Sequence, residues 1–268
     1  MKKMRAYLLN LGTMASESNS AAWWGLTAAS CAEPNMPHKM TKTPSCAVLI
    51  DHPEAGWILY DTGLGDPNAW PQHIRDFVAV DKPAETDMER QLALLDLKPA
   101  DIRYVIISHM HFDHIGNDAL FAETADFFVS EAEAEYAAKS VLRSDDPAGR
   151  GYYLREDVLL PRRSLTYLDR DETLFPGVET VLLPGHTPGV MGLLLHLEGG
   201  TILFPSDAAA FRGNLEYRQP AGVYDSLGYL RSIRKIHDLQ KKHNARVFCS
   251  HDGEQICGEL RFAPDCYA

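Results

Sequence analysis

A chain of 268 residues can bury one large core or two small ones, and 45% hydrophobic with 24% charged residues is the ordinary balance of a soluble globular protein. The formal net charge of -11 works against binding to nucleic acid or to an anionic membrane surface, no basic run offsets it, and no apolar run approaches the ~20 residues of a membrane span. Cys31, Cys46, Cys249, Cys257 and Cys266 are odd in number and form no CxxC pair, which fits reduced thiols in a cytoplasm better than structural disulfides.

The start, "MKKMRAYLLNLG", has the lysines of a signal peptide, but its apolar run is short and holds Tyr7 and Asn10, so it reads as a first strand. "CAVLIDH" and "GWILYDTG" read as two more strands, each ended by turn residues. Residues 13–43 between the first two are too long and irregular for an ordinary connection, a feature of functional or partner-binding loops. Trp23 and Trp24 within it either line a pocket, bury at a subunit contact or pin the loop to the body.

"TDMERQLALLDLKPADI" predicts a helix, with Met88, Leu92 and Leu95 at helical spacing and Pro99 beyond its end. "YVIISH" is a nearly continuous apolar run, the pattern of a strand buried on both faces. "SEAEAEYAAKSVL" predicts a second helix capped by Ser130. "VETVLLPGH" and "GLLLHLEGGTILFPSD" supply further strands, the latter two joined at "GGT". "DSLGYLRSIRKIHDLQKKHNA" is an amphipathic helix with Leu227, Leu230, Ile233 and Ile236 on one face and Asp225 or Ser226 as its cap, and "RVFCSHDG" is a last buried strand. With no repeat and no linker-like stretch, residues 1–268 are expected to form a single α/β domain.

Four ligand-type residues crowd into "HMHFDH". In extended backbone His109 and His111, two apart, can face one ion. Asp113 and His114 follow where the chain turns and can face a second, and Gly116 is expected to allow backbone angles awkward for other residues. Neutral imidazole and carboxylate suit zinc. An isolated His-x-His is usually structural, but His186 in "LLPGHTPG", Asp207 in "TILFPSD" and His251 in "RVFCSHDG" also each follow an apolar strand. His38, His52, His73, His196, His237 and His243 lack that context and are assigned to surface or core roles.

The set "HMHFDH", "GHTPG", "SD" and "SHDG" resembles the metallo-β-lactamase superfamily, over a span running from "LYDTG" to the C-terminal histidine. The resemblance implies an αββα sandwich with a dinuclear metal site at one edge of the two sheets. It implies that His109, His111 and His186 hold one ion, that Asp113, His114 and His251 hold the other, that Asp207 bridges them, and that Asp61 orients a ligand from outside. Two divalent ions ~3.5–4 Å apart can share a water and lower its pKa, so that a bridging hydroxide attacks an activated carbonyl or phosphoester while Asp113 accepts or relays a proton. Zinc is the default pair, and iron, manganese or cobalt could occupy the same ligands.

Within the superfamily, His111 stands where di-iron oxygen reductases carry Glu, and Asp207 where zinc β-lactamases carry Cys or Ser. The spacing from His186 through Asp207 to His251, and the long loop after the first strand, resemble the quorum-quenching N-acyl homoserine lactonases. That implies hydrolysis of a small-molecule lactone or ester, and by family habit a homodimer. These lactonases carry a substrate-binding tyrosine three residues after the bridging aspartate, where this chain has Ala210 followed by Phe211. Tyr217, Tyr224 or a loop residue could substitute, and Phe211 either lines an acyl pocket or packs in the core. The alternatives are another metallo-hydrolase of the same fold, such as a thioesterase of the glyoxalase II kind, and a non-catalytic metal-binding protein.

Overall fold

The computed structural model describes residues 3–17, 31, 39–143, 151–220 and 222–268. Two sheets lie at its centre. The first has seven strands, in the order β4 (Ala79–Asp81), β1 (Arg5–Glu17), β2 (Met40–His52), β3 (Gly56–Tyr60), β5 (Ile102–Ile106), β6 (Asp126–Ser130) and β7 (Ser164–Leu168). It is antiparallel up to β3 and parallel from there to β7. The second has five, in the order β12 (Arg246–Val247), β11 (Gly200–Phe204), β10 (Met191–Leu197), β9 (Val178–Leu182) and β8 (Glu172–Phe175). The helices are α1 (Gln72–Phe77), α2 (Met88–Ala93), α3 (Phe112–Ile115), α4 (Glu131–Arg143), α5 (Arg155–Val158), α6 (Arg212–Leu215), α7 (Ser226–His243) and α8 (Gly253–Gly258).

The two-residue period of strands separates three cores. Val48 and Ile50 of β2 face Leu193, Leu195, Ile202 and Phe204 between the sheets. The intervening Ala47 and Leu49 point the other way, into a core with Met88 and Leu92 of α2 and Ala137 and Val141 of α4. Leu194 and Leu203 face away from the first sheet and meet Tyr229, Ile233 and Ile236 of α7. The result is the αββα sandwich, with one helical layer outside each sheet.

Three elements depart from the sequence reading. β1 continues past Gly12 to Glu17 and pairs with Met40–Pro44, because the register skips between Asn10 and Thr13 and the bulge restarts the ladder. The predicted long loop is therefore shorter at both ends, and Trp23, Trp24 and His38 lie outside the described residues. The first predicted helix stops at Ala93, since Asp96 adopts a left-handed φ of 58° that ends the α-helical run. On α7 the buried face is formed by Tyr229, Ile233 and Ile236, while Leu227 is 66% exposed beside its cap, the Asp225 side chain accepting from Leu227 N–H at 2.9 Å.

A buried ion pair supports the rim of the first sheet. Arg162 donates to Asp118 Oδ2 at 2.7 and 3.1 Å, and Thr62 Oγ1 donates to Asp118 Oδ1 at 2.8 Å. Thr62 N–H in turn donates to the carbonyl of His114 at 2.7 Å. Burial pushes the Asp118 carboxyl up even beside Arg162. Arg162→Met strands that charge and is expected to cost about 3–5 kcal/mol by chemical denaturation at pH 8. At pH 5 the loss should be smaller, because the stranded carboxylate can be neutralised by a proton. An equal or larger loss at pH 5 would contradict this picture.

Candidate metal centre

Every candidate ligand follows the C-terminal end of a strand on one rim of the sandwich. His109 and His111 come directly after β5, and Asp113 and His114 sit in the single turn of α3. His186 is in the β9–β10 loop, Asp207 in a 3-10 turn (Ser206–Ala209) after β11, and His251 after β12. The sheets are tied together at this rim: Met191 N–H donates to the carbonyl of Ser108 at 2.8 Å, and the Tyr60 hydroxyl donates to the carbonyl of Met191 at 2.7 Å.

Close backbone contacts shape these loops. Gly116 has an ordinary helical φ of -64°, so the expectation of unusual backbone angles there is wrong. What the position requires is absence of a side chain, since a Cβ would lie 2.2 Å from Gly65 N. At Gly185, next to His186, φ is +145° and a Cβ would meet the Tyr229 backbone at 2.4 Å. The loop therefore rests directly on α7.

The seven predicted side chains converge. His111 Nδ1 lies 3.1 Å from both His109 Nε2 and His186 Nε2. Asp113 Oδ2 lies 3.7 Å from His114 Nε2 and 3.5 Å from His251 Nε2. Asp207 stands between the two groups: its Oδ1 is 3.5 Å from His114 Nε2 and 3.2 Å from His251 Nε2, and its Oδ2 is 3.5 Å from His186 Nε2. Three overlapping sets could each hold an ion: His109, His111 and His186; His109, His114 and Asp207; Asp113, His114 and His251.

Outer contacts set the tautomers. The Nδ1–H of His114 donates to Asp61 Oδ2 at 2.8 Å, and that of His251 donates to the carbonyl of Pro44 at 2.9 Å. Both Nε2 atoms are thereby aimed inward, buried and without a hydrogen-bond partner. Two orphaned imidazole nitrogens facing carboxylates fit a divalent cation, which would satisfy nitrogen atoms that nothing in the protein satisfies.

The electrostatics divide the site. Burial first, and then neighbouring histidines, holds His109 and His111 well below the ordinary imidazole value; burial also lowers His186. Burial would lower His114 and His251 as well, but the carboxylates of Asp113 and Asp207 overcome it and raise both. Burial would raise Asp207, yet His251 and His114 hold it well below the usual carboxylate range.

Asp61, expected from the sequence to orient a ligand, does so at His114, and it also accepts from Ser108 N–H and Ser108 Oγ–H, both at 2.7 Å. Several other supporting residues carried no legible signal in the sequence. The Ser206 hydroxyl donates to Ser108 Oγ at 2.8 Å, and the Ser250 hydroxyl donates to Asp207 Oδ1 at 2.7 Å. Asp61 and Ser206 have φ of 58° and 51°, so two non-glycine residues in a left-handed conformation flank the ligands. Serines beside a motif look like turn residues, and only the folded contacts distinguish them. Of the histidines set aside, His52 accepts from the Ala55 N–H at 2.9 Å, His196 pairs with Glu179, and His237 bonds the carbonyl of Leu215, all in local roles.

A cavity of about 90 Å³ opens onto His111, Asp113, His186, Asp207 and His251. Its walls include Met14, Phe77, Val78, Phe112 and Phe211, so Phe211 faces the cavity. Ala210 lies in the wall too, leaving its methyl where a larger side chain could have projected. Tyr217 stacks near His237 instead, and Tyr224 lines a neighbouring cleft. Tyr152 lines both cavity and cleft, its ring centroid 5.4 Å from that of His111.

Residues 40–251 match the metallo-beta-lactamase superfamily. An N-acyl homoserine lactonase from Bacillus cereus is 31% identical over 229 residues, 83% of this chain and 86% of that protein. One from Rhizobium rhizogenes is 29% identical over 252 residues, 88% of this chain and 89% of that protein. Among solved structures, an N-acyl homoserine lactone hydrolase with the product N-hexanoyl-L-homoserine at its catalytic metal center superposes with a TM-score of 0.83 and 25% identity, over 100% of both chains.

Because two orphaned nitrogens and three carboxylate-rich or imidazole-rich sets are buried together, divalent ions should stabilise the folded chain. Saturation at about 1,000 times Kd is expected to add about 4 kcal/mol. Chelation should lower the melting temperature, and readdition of zinc, manganese or cobalt should restore it. A melt indifferent to both treatments would contradict the assignment.

Proposed function

The chain belongs to the metallo-beta-lactamase superfamily, and from that premise we propose that it is a divalent-metal hydrolase opening lactone rings, with N-acyl homoserine lactones as its substrates. The observation that carries this reading is the convergence of seven histidine and aspartate side chains, five of which line an apolar-walled cavity. Relatives whose names state N-acyl homoserine lactone hydrolysis support the choice of substrate. We take residues 1–268 as one hydrolase domain, and zinc as the resident metal.

In this reading His109, His111 and His186 would hold one ion and Asp113, His114 and His251 the other, with Asp207 standing between the two groups as a ligand available to both. When bound, the ions supply Lewis acidity and lower the pKa of water, so that no serine or cysteine nucleophile is needed. The chain's own groups do the rest. Asp61 and the carbonyl of Pro44 keep His114 and His251 in the tautomer that presents Nε2. Asp113, at the cavity floor, takes a proton and returns one to the leaving alkoxide, the oxygen released when the ring opens. Met14, Phe77, Val78 and Phe211 exclude water from the acyl side of the substrate. Tyr152, whose hydroxyl makes no hydrogen bond among the described residues, donates to the substrate's carbonyl in place of the side chain that Ala210 lacks.

Metal-loaded protein should hydrolyse acyl homoserine lactones faster than S-lactoylglutathione, a cephalosporin or a phosphodiester, measured side by side; exclusive turnover of the thioester would overturn the proposal. His109→Ala and Asp207→Asn should lose metal and at least ~100-fold in rate. Tyr152→Phe should keep its metal and lose roughly 100-fold in kcat; an unchanged kcat would remove Tyr152 from the mechanism.

A further inference from the structure

Glu133 lies on α4, outside the ligand set, and is completely buried. Four donors converge on its carboxylate. Oε1 accepts from Met110 N–H at 2.9 Å and from the Tyr153 hydroxyl at 2.9 Å. Oε2 accepts from the Thr187 hydroxyl and from Gly189 N–H at 3.3 Å. Met110 is the residue between His109 and His111, and Thr187 follows His186 directly. Tyr153 packs its ring against His111, with centroids 4.7 Å apart. One carboxylate thus fastens the chain at Met110, between His109 and His111, and at Thr187, beside His186; Asp113 and His114 come later on the first connection, within the turn of α3, and no donor to Glu133 comes from that turn or from the loops carrying Asp207 or His251.

The approach of these loops to α4 is close by construction. A Cβ at Gly189 would lie 2.2 Å from Ser130 Oγ and 2.4 Å from Glu133 N. Ser130 Oγ accepts from Glu133 N–H at 3.2 Å and fixes the start of the helix. Four donors on two oxygens leave no acceptor for a carboxyl proton, so the group is suited to carry its charge, although burial pushes its pKa up. A buried anion held only by neutral donors gains from a cation nearby, and three neutral imidazoles around a divalent ion would supply one.

We propose that Glu133 is the positioning residue for the three-histidine ion, setting the geometry and affinity of that half of the centre and not of the other. This rests on the metal-centre reading above. Removal of such an outer partner is expected to weaken the ion it supports about 10–100-fold. Glu133→Gln keeps the size but turns an amide N–H₂ toward two donors; Thr187→Val removes one donor and leaves Glu133 in place.

The test measures zinc affinity by competition with a chromophoric chelator in two backgrounds. His251→Ala weakens the second half and reports chiefly the three-histidine ion; His186→Ala reports chiefly the other. Glu133→Gln should weaken binding about 10–100-fold in the His251→Ala background and leave it within about 2-fold in the His186→Ala background. Thr187→Val should move the same way by a smaller factor, and it decides the matter alone if Glu133→Gln fails to fold. Equal weakening in both backgrounds, or none in the first, would overturn the proposal. Failure of the otherwise unaltered protein to bind zinc would overturn the metal-centre reading itself.

Discussion

The structure turns on a local imbalance: imidazole lone pairs and carboxylate oxygens are packed together below the surface with too few donors to satisfy them. His114 Nε2 and His251 Nε2 are buried without a hydrogen bond, and Asp207 presents one oxygen to each half of the cluster. Such an arrangement is unfavourable in isolation. It persists because the contacts behind it over-determine each side chain. Asp61 and Pro44 set the ring orientations, Ser108 and Ser206 link the two sheets behind the site, and Arg162 with Asp118 holds the turn that carries His114. A divalent cation would complete what these contacts leave open.

The sandwich explains how one rim can gather residues from positions 109 to 251. Strands β5, β9, β11 and β12 all deliver their C-terminal ends to the same edge, and alternating side chains along them separate the inter-sheet core from the two helical layers. The loops beyond those ends are then free to carry polar groups, because the strands beneath supply the burial. The cost of strain is local as well: the left-handed backbones of Asp61 and Ser206 occur beside the ligands.

Much of this was legible in the sequence, and for physical reasons. A histidine or aspartate after an apolar run is conspicuous against the two-residue period of a strand, so His109, His111, His186, Asp207 and His251 could be read directly. The mixture of buried strands and amphipathic helices gave an α/β architecture, and the layer order came from the resemblance to the metallo-β-lactamase superfamily. What stayed hidden depends on distance in space. Glu133 reads as one more charge on a polar helix, Ser206 and Ser250 as turn residues, and Tyr152 as part of an irregular stretch. Helix ends and bulges were also misjudged, because the left-handed turn at Asp96 and the register skip after Asn10 are decided by tertiary packing. The lysine-free apolar wall formed by Met14, Phe77 and Val78 belongs to segments that no motif marks.

The central claim is that this buried cluster exists to bind a pair of cations. Anomalous diffraction from crystals of the purified, zinc-reconstituted protein tests it most directly. Two peaks among His109, His111, His186, Asp113, His114, His251 and Asp207, with Asp207 touching both, are the predicted result. Maps with no anomalous density among these side chains after reconstitution would contradict it.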